Sequence, residues 1–222
     1  MISSTTLGFL KSLKKNNNKA WFDQNREKYI AAKNEFELFV SDLLQKISLI
    51  DSDLKELEPK HCTFRINRDI RFSKNKTPYK INLSASFNRE GKKSIYAGYY
   101  FHLQPGGNSF AGGGLWMPEP VVLKKLRQEI DYCFPEFNKI IHAAAFKKNY
   151  GTLEKDEKQT LVNVPRGYEK ENPAANFLKM KSFVATKNIS DSDVLAPGLI
   201  SEVVQSFKAL TPLVKFINRA IE

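Results

Sequence analysis

Apolar residues recur every three or four positions at both ends of this chain and every second position in its middle, which restricts the fold to helices flanking a sheet. Leu7, Leu10 and Leu13 share a short helical face that Thr5 or Thr6 can cap and Asn16-Asn17-Asn18 ends. Phe22, Tyr29, Phe36 and Leu43 then mark one stripe, joined by Val40 and Ile47, so a single long helix is expected over residues 19–49. From His61 the period becomes two. Phe64, Ile66, Ile70 and Phe72 alternate with Arg65, Asn67, Asp69 and Arg71, the pattern of a half-buried first strand. Leu83, Ala85 and Phe87 read as a second strand, residues 95–103 as a third and 109–116 as a fourth, with Pro105-Gly106-Gly107-Asn108 as a hairpin connection.

Helices return after Pro118-Glu119-Pro120, where Val122, Leu126, Ile130 and Cys133 line one face, and a second helix is expected over residues 135–146. A weak hairpin (Leu153 with residues 161–164), a short helix from Asn172 to Met180 and a strand over 182–186 follow. The last helix, about 198–221, carries Val203, Phe207, Leu210, Leu213, Ile217 and Ile221. Pro212 is expected to kink or restart it, with Thr211 as a new cap. Consecutive, tightly linked strands make an antiparallel sheet. The expectation is an α+β fold, a largely antiparallel sheet packed by N-terminal and C-terminal helices. With no repeat, low-complexity tract or linker, a single domain over residues 1–222 is expected.

A hydrophobic content of 41% with 27% charged residues excludes wholesale disorder. Neither a secretory leader nor a run of apolar residues long enough to span a bilayer occurs, so a cytoplasmic protein without a membrane partner is expected. Cys62 and Cys133 lie far apart and form no C-x-x-C, as befits two reduced thiols.

The charge is concentrated. Between Lys60 and Lys80 seven cations face one acid, a net +6 within a chain whose total is +11. Arg65 and Arg71 share the polar face of the expected strand with Asn67 and Asp69, and Lys74, Lys76, Tyr79 and Lys80 follow in the turn. Guanidinium forks match phosphate or carboxylate oxygens bidentately, and lysines add less directional charge. Asp69, between two arginines, is expected to stay ionised and hold them in place. Arg68 falls on the apolar face and is expected to pair structurally, with a carboxylate or with backbone carbonyls.

The run Phe64-Arg65-Ile66-Asn67-Arg68-Asp69-Ile70-Arg71-Phe72-Ser73-Lys74-Asn75-Lys76-Thr77-Pro78-Tyr79-Lys80 resembles the signature of a bacterial and fungal family known only as domain of unknown function 2461. The resemblance continues through residues 97–107, Gly112-Gly113-Gly114-Leu115-Trp116-Met117-Pro118, Pro165-Arg166-Gly167-Tyr168 and Asn172-Pro173-Ala174. The opening Phe9-Leu10, Leu13, Asn16-Asn17 and Trp21-Phe22 is similar to the family's start, so the likeness covers essentially the whole chain. It implies one self-contained domain and brings no activity, substrate or catalytic residue.

Other chemistry is poorly represented. Tyr100 and His102 share one face of the third strand and are expected beside Arg65 and Arg71, as an aromatic shelf with a proton carrier or as an ordinary cross-strand pair. Three histidines without C-x-x-C or H-x-x-x-H argue against zinc, and the acids gather in expected turns rather than near the basic strand. The glycine pairs fit neither phosphate-loop pattern; they serve the hairpin and let another backbone or Trp116 lie close. No metal or cofactor is expected. The reading favoured by the charge is binding of an anionic, phosphate-bearing ligand or nucleic acid through Arg65, Arg71, Lys74, Lys76, Tyr79, Lys80, Tyr100 and His102. The alternatives are an enzyme acting on a small phosphorylated or carboxylated metabolite, and a purely structural charge lattice.

Overall fold

The computed structural model describes residues 2–222. Its first helix, α1 (Ser4–Lys15), is capped by Ser3, whose Oγ accepts from Thr6 N at 3.3 Å, rather than by Thr5 or Thr6. Ile2 and Leu7, both buried, bracket that cap, and the Thr6 hydroxyl instead donates to Glu35. The long helix divides into α2 (Lys19–Gln24) and α3 (Arg26–Ile47). Asn25 breaks it: its side-chain amide and backbone N–H both donate to Trp21 O. The apolar stripe survives the break, since Phe22, Phe36 and Leu43 are all buried.

A 3₁₀ turn (Ser52–Leu54) and the short helix α4 (Pro59–Cys62) lead to the segment expected as the first strand. The sheet itself has four strands, β1 (Leu83–Asn88), β2 (Gly98–Leu103), β3 (Ser109–Leu115) and β4 (Phe183–Ile189), in that spatial order and antiparallel throughout. Between β3 and β4 run α5 (Pro120–Tyr132), α6 (Phe134–His142), α7 (Ala144–Tyr150) and α8 (Ala175–Leu178). The expected 135–146 helix thus breaks at Ala143, and the expected hairpin at 153–164 is only a 3₁₀ turn with one bridge, Thr160 to Met180. After β4 come α9 (Asp191–Leu195) and α10 (Leu199–Ile221). Helix α10 passes through Pro212 in one piece. Thr211 does not recap it but donates its hydroxyl to Phe207 O, and the buried Leu210, Leu213 and Val214 hold both sides of the proline in place.

Register places Ala85, Phe101 and Ala111 side by side on one face, with Phe87, Tyr99 and Gly113 in the next row. That face is the core. Phe39 of α3 lies 4.8 Å from Phe101 and Phe207 of α10 lies 5.1 Å from Tyr99, ring centre to ring centre. The Tyr99 hydroxyl donates to Asp51 Oδ2 at 2.9 Å and lies 3.1 Å from Thr211 Oγ1, tying the sheet to the 3₁₀ turn and to α10. On the opposite face Tyr100, His102 and Phe110 remain half-buried. Gly114 in β3 has φ +117°, and a Cβ there would come within 2.0 Å of Phe183 O, so the close approach of β4 needs glycine. Cys62 and Cys133 are free thiols, the first buried and pushed up to about 11 by that burial.

Candidate anion site

Residues 63–80 leave and rejoin the edge of β1 as a two-armed excursion rather than as a strand. Thr63 bridges to Ala85 and Phe64 N donates to Ser84 O at 3.0 Å. Further out Lys80 N donates to Ile66 O (2.7 Å) and Arg68 N to Pro78 O (2.9 Å). The ladder stops there because Pro78 has no N–H to return. The alternation read from the sequence does govern burial: Ile66 is buried, while Arg65, Asn67, Asp69 and Arg71 are exposed. It fails at the tip, where Phe72 is 96% exposed.

One residue of the α1–α2 connection fixes the returning arm. Asn17 Nδ2 donates to Tyr79 O at 2.9 Å and Asn17 Oδ1 accepts from Tyr79 N at 3.1 Å, the bonds a neighbouring strand would make. The Tyr79 ring stacks on Phe22 at 3.9 Å, so α2 holds the same residue from its other side.

Between α1 and this arm lies an open hollow of about 360 Å³. Three cations line it, Lys14, Arg68 and Lys80, and no carboxylate does. Asn17, Asn75, Thr77 and Asn82 supply neutral polar groups, and Tyr79 and Ile81 complete the wall. Among the described residues none of the three cations forms an ion pair. Arg68 is held by neutral acceptors: Nη1 donates to Thr77 O at 3.0 Å and to Thr77 Oγ1, and Nη2 to Ser73 Oγ at 3.4 Å. Its charge is oriented but not compensated. Lys80 sits with Nζ 5.3 Å from the centre of the Phe64 ring. Burial, then the neighbouring Arg65, push its ammonium below the ordinary lysine value.

The hollow adjoins the outer face of the sheet. Phe64 lies 6.3 Å from Tyr100, Tyr100 5.7 Å from Phe110, and Phe110 stacks on His102 at 4.8 Å. His102 Nε2 is 3.2 Å from Gln104 Oε1, and its Nδ1 lies 3.4 Å from the Tyr100 hydroxyl and 3.5 Å from Asn82 Nδ2. Burial holds His102 below its ordinary value, against the Gln104 hydrogen bond and with help from Lys80. Burial also raises Tyr100.

Of the residues singled out in the sequence, Arg68, Tyr79 and Lys80 meet in the hollow, and Tyr100 and His102 border it through Phe64 and Asn82. Tyr100 faces Phe64, from the apolar side of the segment, rather than the exposed Arg65. Arg71 turns to Asp69, with Nε 3.0 Å from Oδ1 and Nη2 2.6 Å from Oδ2, and that pairing keeps the Asp69 carboxyl below its ordinary value. Lys74 is exposed, and Lys76 Nζ donates to Ile70 O at 3.0 Å. These three cations occupy the tip. The sequence reading missed Lys14, Asn17, Thr77 and Asn82; the polar run Lys14-Lys15-Asn16-Asn17-Asn18 was visible, but nothing in it said that it faces residue 79.

Among the described residues no three His, Cys, Asp or Glu side chains are placed to hold a metal ion, and no helix is long and apolar enough to cross a membrane. Neither curated proteins nor solved structures yield a match. The model of one family, described as a conserved hypothetical protein (DUF2461), matches residues 5–216. The excursion, the hollow and the sheet all fall within that span, and the chain belongs to the DUF2461 family.

Proposed function

We propose that this protein binds a phosphate-bearing ligand, with the phosphate seated in the hollow between α1 and residues 68–82. The observation that carries the reading is the lining itself: Lys14, Arg68 and Lys80 converge with no carboxylate among them. Cations brought together cost free energy unless an anion relieves them, and an arginine prealigned by Thr77 and Ser73 loses little freedom when it takes one. The amides of Asn17 and Asn82 add neutral donors of the kind that phosphate oxygens accept. The concavity favours a small ligand over a flat polyanion surface.

Calorimetric titration of the full chain with inorganic phosphate at low salt tests this. Arg68→Gln and Lys80→Gln are each expected to weaken binding at least about tenfold while thermal unfolding stays near that of the parent. Absence of phosphate binding to the parent protein, or variants that bind as before, would sink the reading.

The tip supports a second reading, contact with nucleic acid. Phe72 projects there almost fully exposed, with the Arg71 guanidinium 5.9 Å from its ring and Lys74 and Lys76 nearby in sequence. Such binding must weaken steeply with salt as counterions are released, and a flat dependence of oligonucleotide affinity on salt removes it.

A further inference from the structure

Resting on the phosphate reading above, we infer that the ligand is a nucleotide, its phosphate in the hollow and its base against the aromatic outer face of the sheet. Two residues belong to both places. Lys80 lines the hollow and holds Nζ 5.3 Å from the Phe64 ring centre, and Asn82 lines the hollow with Nδ2 3.5 Å from His102 Nδ1. A phosphate held by Lys80 therefore has whatever it carries delivered to Phe64, Tyr100 and Phe110. Those rings follow one another at 6.3 and 5.7 Å, on a face of the sheet where they stay half-buried rather than covered.

The polar groups around the rings select the chemistry of that body. At the margin of the aromatic face His102 engages Asn82 Nδ2 and Gln104 Oε1, which leaves Asn82 Oδ1 and Gln104 Nε2 as an amide acceptor and an amide donor without a side-chain partner among the described residues. A hydrocarbon tail pressed there would strip water from these groups and return no hydrogen bond. A planar heterocycle stacks on the rings and satisfies the amides with its edge nitrogens and oxygens, the way bases are taken up on open sheets. Inorganic phosphate alone leaves the aromatic group without a role.

The nucleotide can arrive free or as a unit of a single strand, and titration of the full chain with inorganic phosphate, adenosine monophosphate and a short single-stranded oligoadenylate separates the sources. Adenosine monophosphate is expected to bind at least about tenfold tighter than phosphate and to compete with it. An oligonucleotide that binds tighter still, per strand, identifies nucleic acid as the source; equal or weaker binding identifies the free nucleotide. Phe110→Leu and Tyr100→Leu are each expected to cost the mononucleotide about tenfold and leave phosphate affinity unchanged, and that retained affinity reports an intact fold. If the parent protein binds the mononucleotide no tighter than phosphate, the inference is wrong while the phosphate site stands. If phosphate fails to bind at all, the underlying reading has failed and takes this one with it.

Discussion

Asn17 makes the site possible by acting as a single-residue stand-in for a strand. Its two bonds to the Tyr79 backbone satisfy a donor and an acceptor of a residue that is only 7% exposed. Asn17→Ala leaves both peptide groups short of partners, so a loss of about 1–3 kcal/mol in urea unfolding is expected, with weakened phosphate binding as residues 77–82 loosen. His102 gives a pH signature. Its folded-state value is depressed by burial from 6.5, so below about pH 6.5 the unfolded chain takes up a proton that the folded one refuses. Its contribution to stability is therefore full above 6.5 and is lost as pH falls toward the folded-state value. Subtracting the melting profile of His102→Gln from that of the parent between pH 5 and 8 should isolate this loss. A difference that stays constant with pH would show that His102 is not held neutral.

At the scale of elements, the sequence reading succeeded where one interaction dominates. The period-two pattern of Leu83, Ala85 and Phe87 and the Tyr- and Phe-rich run to Leu103 became β1 and β2 because their alternate residues face a continuous core. It failed where a partner outside the element decides. Residues 64–71 alternate correctly, but a strand also needs a neighbour with free N–H and C=O groups, and Pro78 withholds one. Pro212 misled in the opposite sense, since packing on α10 outweighs one missing hydrogen bond. The site was legible only as charge: the +6 segment put Lys80 among the expected ligand-binding residues but gave Arg68 a structural pairing, and Lys14 and Asn17 enter from about sixty residues away. Glycine in β3 was legible as a need for closeness. Gly114→Ala is expected to cost about 3 kcal/mol in chemical denaturation, because a φ of +117° and a contact with the Phe183 carbonyl must both be relieved.

Across the whole molecule, the two helical ends do different work. Helix α1 and the α1–α2 connection lend Lys14 and Asn17 to the hollow and Phe22 of α2 backs its Tyr79 wall, while α10 lies under the sheet against Tyr99 and Phe87. The sheet that joins them closes over very unequal distances along the chain. In β1 and β2 the partners Asn88 and Gly98 are ten residues apart, but β3 meets β4 through Leu115 with Phe183 and Ser109 with Ile189, 68 and 80 residues apart. During synthesis the hairpins of β1–β3 can therefore form while β3 still waits with an unfilled edge. Four helices must emerge before its proper neighbour exists, and in that interval any other extended peptide can pair there instead. Docking of the fourth strand thus waits on the emergence of α5 to α8, and the time a nascent chain spends before it sets its exposure to misassembly.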